Sequence, residues 1–164
     1  MFWKRKHKVE ATELAQSLLN EFVHKIVVYA PDDLCLDAIM TARYEIKAKL
    51  YQLAAVLMAL MVEEGKNAGF LPVREHLEAD IFPSSPDVAG SLLAEVKTAM
   101  QDLNDLFAPG QRKQMSWARA WLNEIGVDET NPATLTLYAC HWMDYYTMVV
   151  KSLGEFNPKV QHQK

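Results

Sequence analysis

A chain of 164 residues, half of them apolar and 23% charged, has the length and make-up of one globular domain. Its formal net charge of −4 creates no global field that would draw nucleic acid or an acidic surface. The longest apolar run, LAAVLMALMV at 53–62, has ten residues against the roughly 20 that cross a bilayer. The cationic start is followed by an amphipathic, acidic stretch instead of the apolar core of an export signal. Cys35 and Cys140 are far apart and lack the paired spacing of a zinc or redox motif, which suits a reducing, cytoplasmic compartment.

Residues 1–8, MFWKRKHK, hold four of the 17 Lys and Arg and no acid, so the remainder carries 13 basic against 21 acidic side chains. This segment is expected to be a flexible basic arm. Phe2, Trp3, Lys4, Arg5 and Lys6 combine aromatic and cationic groups as a contact with an anionic membrane surface does. So few cations do not make a nucleic-acid site, and no nucleic acid is expected as a partner.

From 9 to 154 the apolar residues recur at three and four, which predicts an all-α, single-domain bundle of about five helices, mostly antiparallel, with a long central second helix. The first helix is expected over 10–29, with Leu14, Leu18, Phe22, Ile26 and Tyr29 along one side and Pro31 after its end. The second is expected over 32–65, opened by Asp32 and Asp33 and closed by Gly65; its second half is apolar nearly all round, as a buried helix requires. Residues 66–84 form the longest connection, within which Pro72 can start a short helix through Asp80. Ser85, Pro86 and Asp87 open a third long helix, which APG at 108–110 ends. A fourth helix follows over 111–125 and a fifth over 131–153, started by Asn131 and Pro132 and stopped before Gly154. Residues 155–164 are expected to be a flexible tail.

The stretch LYACHWMDYY, 137–146, gathers most of the chemistry-bearing side chains. On a helical wheel Leu135, Tyr138, Ala139, Trp142, Met143, Tyr145, Tyr146, Val149, Val150 and Leu153 fall within an arc of about 160 degrees, the arc of a core face. Cys140 points about 100 degrees away from His141, so the two form no dyad. A narrower second stripe remains, Leu137, His141, Asp144 and Met148, with the 4, 3, 4 spacing of a seam between helices. His141 and Asp144 are one turn apart, and a local ion pair between them is expected.

Other polar constellations are weaker. Glu21 and His24 form one E-x-x-H, whereas a dimetal bundle needs two with further carboxylates, and a solvated Glu21–Lys25 pair accounts for it. Glu75 with Glu78 and Asp102 with Asp105 have the i, i+3 spacing of magnesium ligands, but the second pair falls on the polar side of its helix. There is no G-x-S-x-G, Walker loop or G-x-G-x-x-G. Trp117 and Trp121 flank the apolar stripe of the fourth helix, with Arg119 close by, and exposed Trp and Arg anchor interfaces.

The chain therefore reads as a non-catalytic helical interaction or adaptor protein without a cofactor. It would bind a protein partner or itself, as a homodimer, through Trp117, Arg119, Trp121, His141 and Met148. The alternative is a bundle enzyme in which Glu21, His24, His141 and Asp144 hold a divalent metal. These readings separate on whether the four side chains converge.

Overall fold

The computed structural model describes residues 7–82, 86–108 and 110–159, apart from the side chains of Asp33, Pro86 and Gln111. The expected basic arm at Phe2, Trp3, Lys4, Arg5 and Lys6, the Ser85 cap and the end of the tail lie outside these residues. The fold is all-α, built from β1 (His7–Val9), α1 (Ala11–Leu18), α2 (Ala38–Glu64), α3 (Phe70–Ile81), α4 (Pro86–Phe107), α5 (Gln111–Glu124), α6 (Pro132–Leu153) and β2 (Phe156–Pro158). No helix among the described residues is long and apolar enough to cross a membrane.

α2 is the axis of the bundle. From Tyr51 to Leu60 every residue is buried, because α3, α4, α6 and the turn after α1 all pack on it. It begins at Ala38, later than expected. Asp32–Leu34 form a separate 3₁₀ turn that ends where Cys35 takes a left-handed backbone, φ 49°. Asp37 then caps α2, its Oδ1 accepting from Met40 N at 2.7 Å. Of the early aspartates, it is the third that starts the helix.

α3 is the additional helix. Asn67 Oδ1 accepts from Gly69 N at 2.9 Å, which sets the turn, and Phe70, Val73 and Leu77 enter the core. Arg74 ties α3 back to α2, its Nε donating to Glu64 at 2.8 Å and its Nη1 to Glu78 at 3.0 Å. Glu78 is therefore spent on an arginine and is not half of a magnesium pair.

The chain ends also differ from expectation. β1 and β2 pair in parallel, His7 beside Phe156 and Val9 beside Pro158, with His7 N donating to Glu155 O at 2.9 Å and Lys159 N to Val9 O at 3.1 Å. Glu10 and Lys159 add an ion pair. Gly69 underlies this corner. A Cβ there would stand 2.6 Å from the Pro158 carbonyl oxygen, so no other residue lets the two backbones approach so closely.

The first helix departs most from the wheel. After Leu18 it widens into a π turn, Leu19–Val23, closed by His24 N donating to Leu19 O at 2.9 Å, and it stops there, short of residue 29. The cause is Gln52, wholly buried on α2. Its Oε1 accepts from Val27 N at 2.8 Å and Val28 N at 3.2 Å, and its Nε2 donates to Phe22 O at 2.9 Å and Lys25 O at 2.6 Å. A primary amide has two donors and two acceptor sites, and all are used. The Tyr145 hydroxyl donates to Phe22 O and the Tyr44 hydroxyl to Val28 O, each at 2.7 Å. The buried segment thus finds its partners in side chains instead of in a helix. Tyr29, expected in the core, is turned out and 69% exposed.

Gln52→Leu keeps the volume and deletes four hydrogen bonds. Lys25 O, Val27 N and Val28 N then lose their partner in the fold, at about 1 kcal/mol or more each. Denaturant unfolding is expected to show a loss of roughly 3–5 kcal/mol, with fast amide exchange at Val27 and Val28. Stability within about 1 kcal/mol of wild type would show that the segment holds itself.

Candidate functional site

α6 separates its faces as the periodicity requires. Leu135, Tyr138, Ala139, Trp142, Tyr145, Val149 and Leu153 are buried, and Met143, Tyr146 and Val150 are half-buried at the margin. The second stripe stays outside. Leu137 is 50% and Met148 39% exposed, Asp144 is exposed and His141 half-buried. His141, Asp144, Tyr145 and Met148 form one wall of a groove whose other wall is Val27, Val28 and Tyr29. Gln52 holds the second wall through its bonds to Val27 and Val28, and Asn131 starts the first, its Oδ1 accepting from Ala133 N at 3.0 Å.

The expected His141–Asp144 ion pair is not made. Neither side chain has a hydrogen-bond or ionic partner among the described residues. Both line the groove beside α6. Glu21 and His24 do not join them. Glu21 pairs with Lys25 at 3.2 Å on an exposed surface, where such a pair contributes a few tenths of a kcal/mol, and His24 is exposed at the end of the π turn. Among the described residues no three His, Cys, Asp or Glu side chains gather as a metal would need. The quartet of the metal-enzyme alternative is therefore not assembled.

The α5 surface also needs correction. Trp121 is 2% exposed. It packs among Tyr44, Tyr51, Tyr138 and Trp142, with ring centroids 5.3–6.0 Å away, and cannot touch a partner in this fold. Trp117 is half-buried, stacked on Tyr138 at 6.4 Å; Arg119 alone of the three is exposed. The wheel placed both indoles on a flank, but Tyr44 and Tyr51 of α2 together with Tyr138 and Trp142 of α6 cover that flank.

A polar cluster that the sequence does not reveal lies in the cleft between α2, α4 and α5. Lys47 pairs with Glu124 and rests over the rings of Trp121, 4.8 Å to the centroid, and Tyr51, 5.5 Å. Tyr51 donates its hydroxyl to Asp102 at 2.5 Å, so Asp102 faces inward and not to the solvated side. Burial pulls the Lys47 ammonium below its usual range, with Glu124 and Asp102 opposing it. Burial, then Asp102, holds the Tyr51 phenol well above its range, which keeps it a donor. Lys47 answers Glu124 and Tyr51 answers Asp102, so the cluster ties three helices together. The residue that could have disclosed it is Lys47, whose i, i+4 neighbour Tyr51 begins the wholly buried stretch of α2.

Comparison with protein-family models, curated proteins and solved structures returns no match. The site is defined by its own chemistry.

Lys47→Met replaces a desolvated cation by an apolar chain of similar length. Its stability is expected within about 1 kcal/mol of wild type or above it, read from the denaturation midpoint. Burial also raises the phenols of Tyr44, Tyr138 and Tyr145 above their ordinary value of 10.0, as it does for Tyr51. The unfolded chain loses these protons first. Stability is therefore full below pH 10 and is expected to fall as pH rises above it, with phenolate absorbance from these four appearing only on unfolding.

Proposed function

We propose that the protein is a non-catalytic interaction module and that the outer stripe of α6, with the adjoining groove, is its contact surface. One observation carries this: Leu137 and Met148, both substantially exposed, bracket two ionisable side chains that have no hydrogen-bond or ionic partner among the described residues. Apolar groups with unpaired polar groups between them make a surface whose free energy falls when a complementary surface covers it. The stripe stands on a rigid helix of 22 residues, and the groove wall is locked by Gln52, so little conformational entropy is lost on contact. Tyr29, exposed at the rim, is of the residue type that anchors interfaces. Cys35 and Cys140 are unpaired thiols, which supports action in a reducing, cytoplasmic setting.

A photo-reactive amino acid at Met148 is expected to give a discrete adduct in cells that express the protein. The same probe at the exposed Glu13 of α1 should give none, and Leu137→Asp should abolish the Met148 adduct. Equal labelling from Met148 and Glu13, or none from either, removes the reading.

A further inference from the structure

We infer that the surface proposed above is occupied by a second copy of the chain, α6 packed antiparallel on α6 about a two-fold axis level with the midpoint between Trp142 and Met143. This rests on the interaction reading and specifies its partner. The outward stripe, extended by one turn at each end, is Ala133, Leu137, His141, Asp144, Met148 and Ser152. The spacing is 4, 4, 3, 4, 4, the same in both directions. In an antiparallel pair, residues equally far from the midpoint stand level with one another. Leu137 then meets Met148 of the partner subunit, and His141 meets Asp144 of the partner subunit. Each contact occurs twice, as an isologous interface requires. The small side chains of Ala133 and Ser152 face each other at the outer ends, where they let the helices approach. At 1.5 Å per residue the ladder is about 28 Å long.

Charge selects this register over its alternative. Parallel packing in register sets Asp144 against Asp144 and His141 against His141, like against like, at a cost that the antiparallel pairing avoids. Self-complementarity is also what separates a second copy from a foreign partner. A surface shaped for another protein has no reason to carry the apolar, imidazole, carboxylate, apolar order that answers its own reverse. The absence of an internal His141–Asp144 bond leaves both groups free for the partner. The groove supplies the remaining contact: Leu137 of the partner subunit comes level with Met148, at the groove bounded by Val28 and Tyr29.

The test uses two variants of the full chain. His141→Glu makes both polar positions acidic, and His141→Lys with Asp144→Lys makes both basic. Wild type is expected at twice the chain mass by light scattering. Each variant alone is expected at the chain mass, with its Kd raised by about tenfold or more, while circular dichroism keeps the wild-type helical signal and the thermal midpoint falls only by what loss of the dimer removes. Mixed in equal amounts, the two should form a dimer holding one copy of each, identified by native mass spectrometry. A variant that loses the wild-type helical signal or cooperative unfolding is replaced by Asp144→Asn, whose dimer should be weakened without like-charge repulsion. A monomeric wild type, or variants that dimerise alone as well as they do together, overturns the proposal. If the Met148 adduct then contains a different protein, the interaction reading stands and the second-copy proposal falls; a monomeric wild type with no adduct takes both down.

Discussion

Gln52 carries the constraint on which the rest of the structure depends, because a primary amide buried on a central helix has no water to turn to. Its two donors and two acceptor sites have to be met by backbone, and residues 22–28 supply all four partners. A helix continuing through that segment would satisfy its own carbonyls and amides and leave the amide stranded. The first helix therefore ends in a π turn, and the chain crosses α2 as an irregular strap. Tyr44 and Tyr145 fasten its two ends from α2 and α6. That strap is one wall of the groove, so a polar choice inside the core dictates the shape of the surface.

The fold class was legible because its signals are local. Caps, prolines and glycines bracket α5 and α6, and a ten-residue apolar run marks α2 as central. What could not be read depends on residues distant in sequence. The end of α1 is decided by Gln52, and β1 by a segment almost the whole chain away. The candidate site was half legible. The α6 stripe follows from spacing alone and stands where the wheel put it, but its facing wall comes from a stretch that the wheel made helical. Trp121 and Asp102 were misplaced for a common reason. A wheel gives one inward face to each helix, whereas α4 and α5 each touch more than one neighbour and bury a wider arc.

The polar side chains divide into two populations with opposite uses. In the cleft between α2, α4 and α5, Lys47, Tyr51 and Asp102, with the exposed Glu124 at its mouth, answer one another, as the buried Gln52 answers the strap, and their saturation makes them structural. The indole Nε1 atoms of Trp121 and Trp142 and the Tyr138 hydroxyl are buried without a partner in hydrogen-bond geometry among the described residues. The aromatic area buried around them offsets that desolvation. Outside, His141 and Asp144 are likewise unanswered, but they stand where an approaching surface can reach them. The same chemical deficit is a standing cost in the core and a means of recognition at the surface.

The pairing of β1 with β2 also bears on how the protein is made. Synthesis is directional, and His7–Val9 leave the ribosome long before Phe156–Pro158 exist. The bundle helices can assemble in the order they emerge, whereas β1 has to wait with its ladder groups open to water until almost 150 further residues have been added. Pro158 is also the residue whose carbonyl crowds Gly69, so the corner beside α3 is completed by the same late arrival. The seam between the two strands thus closes late in synthesis, and it joins two segments made almost 150 residues apart.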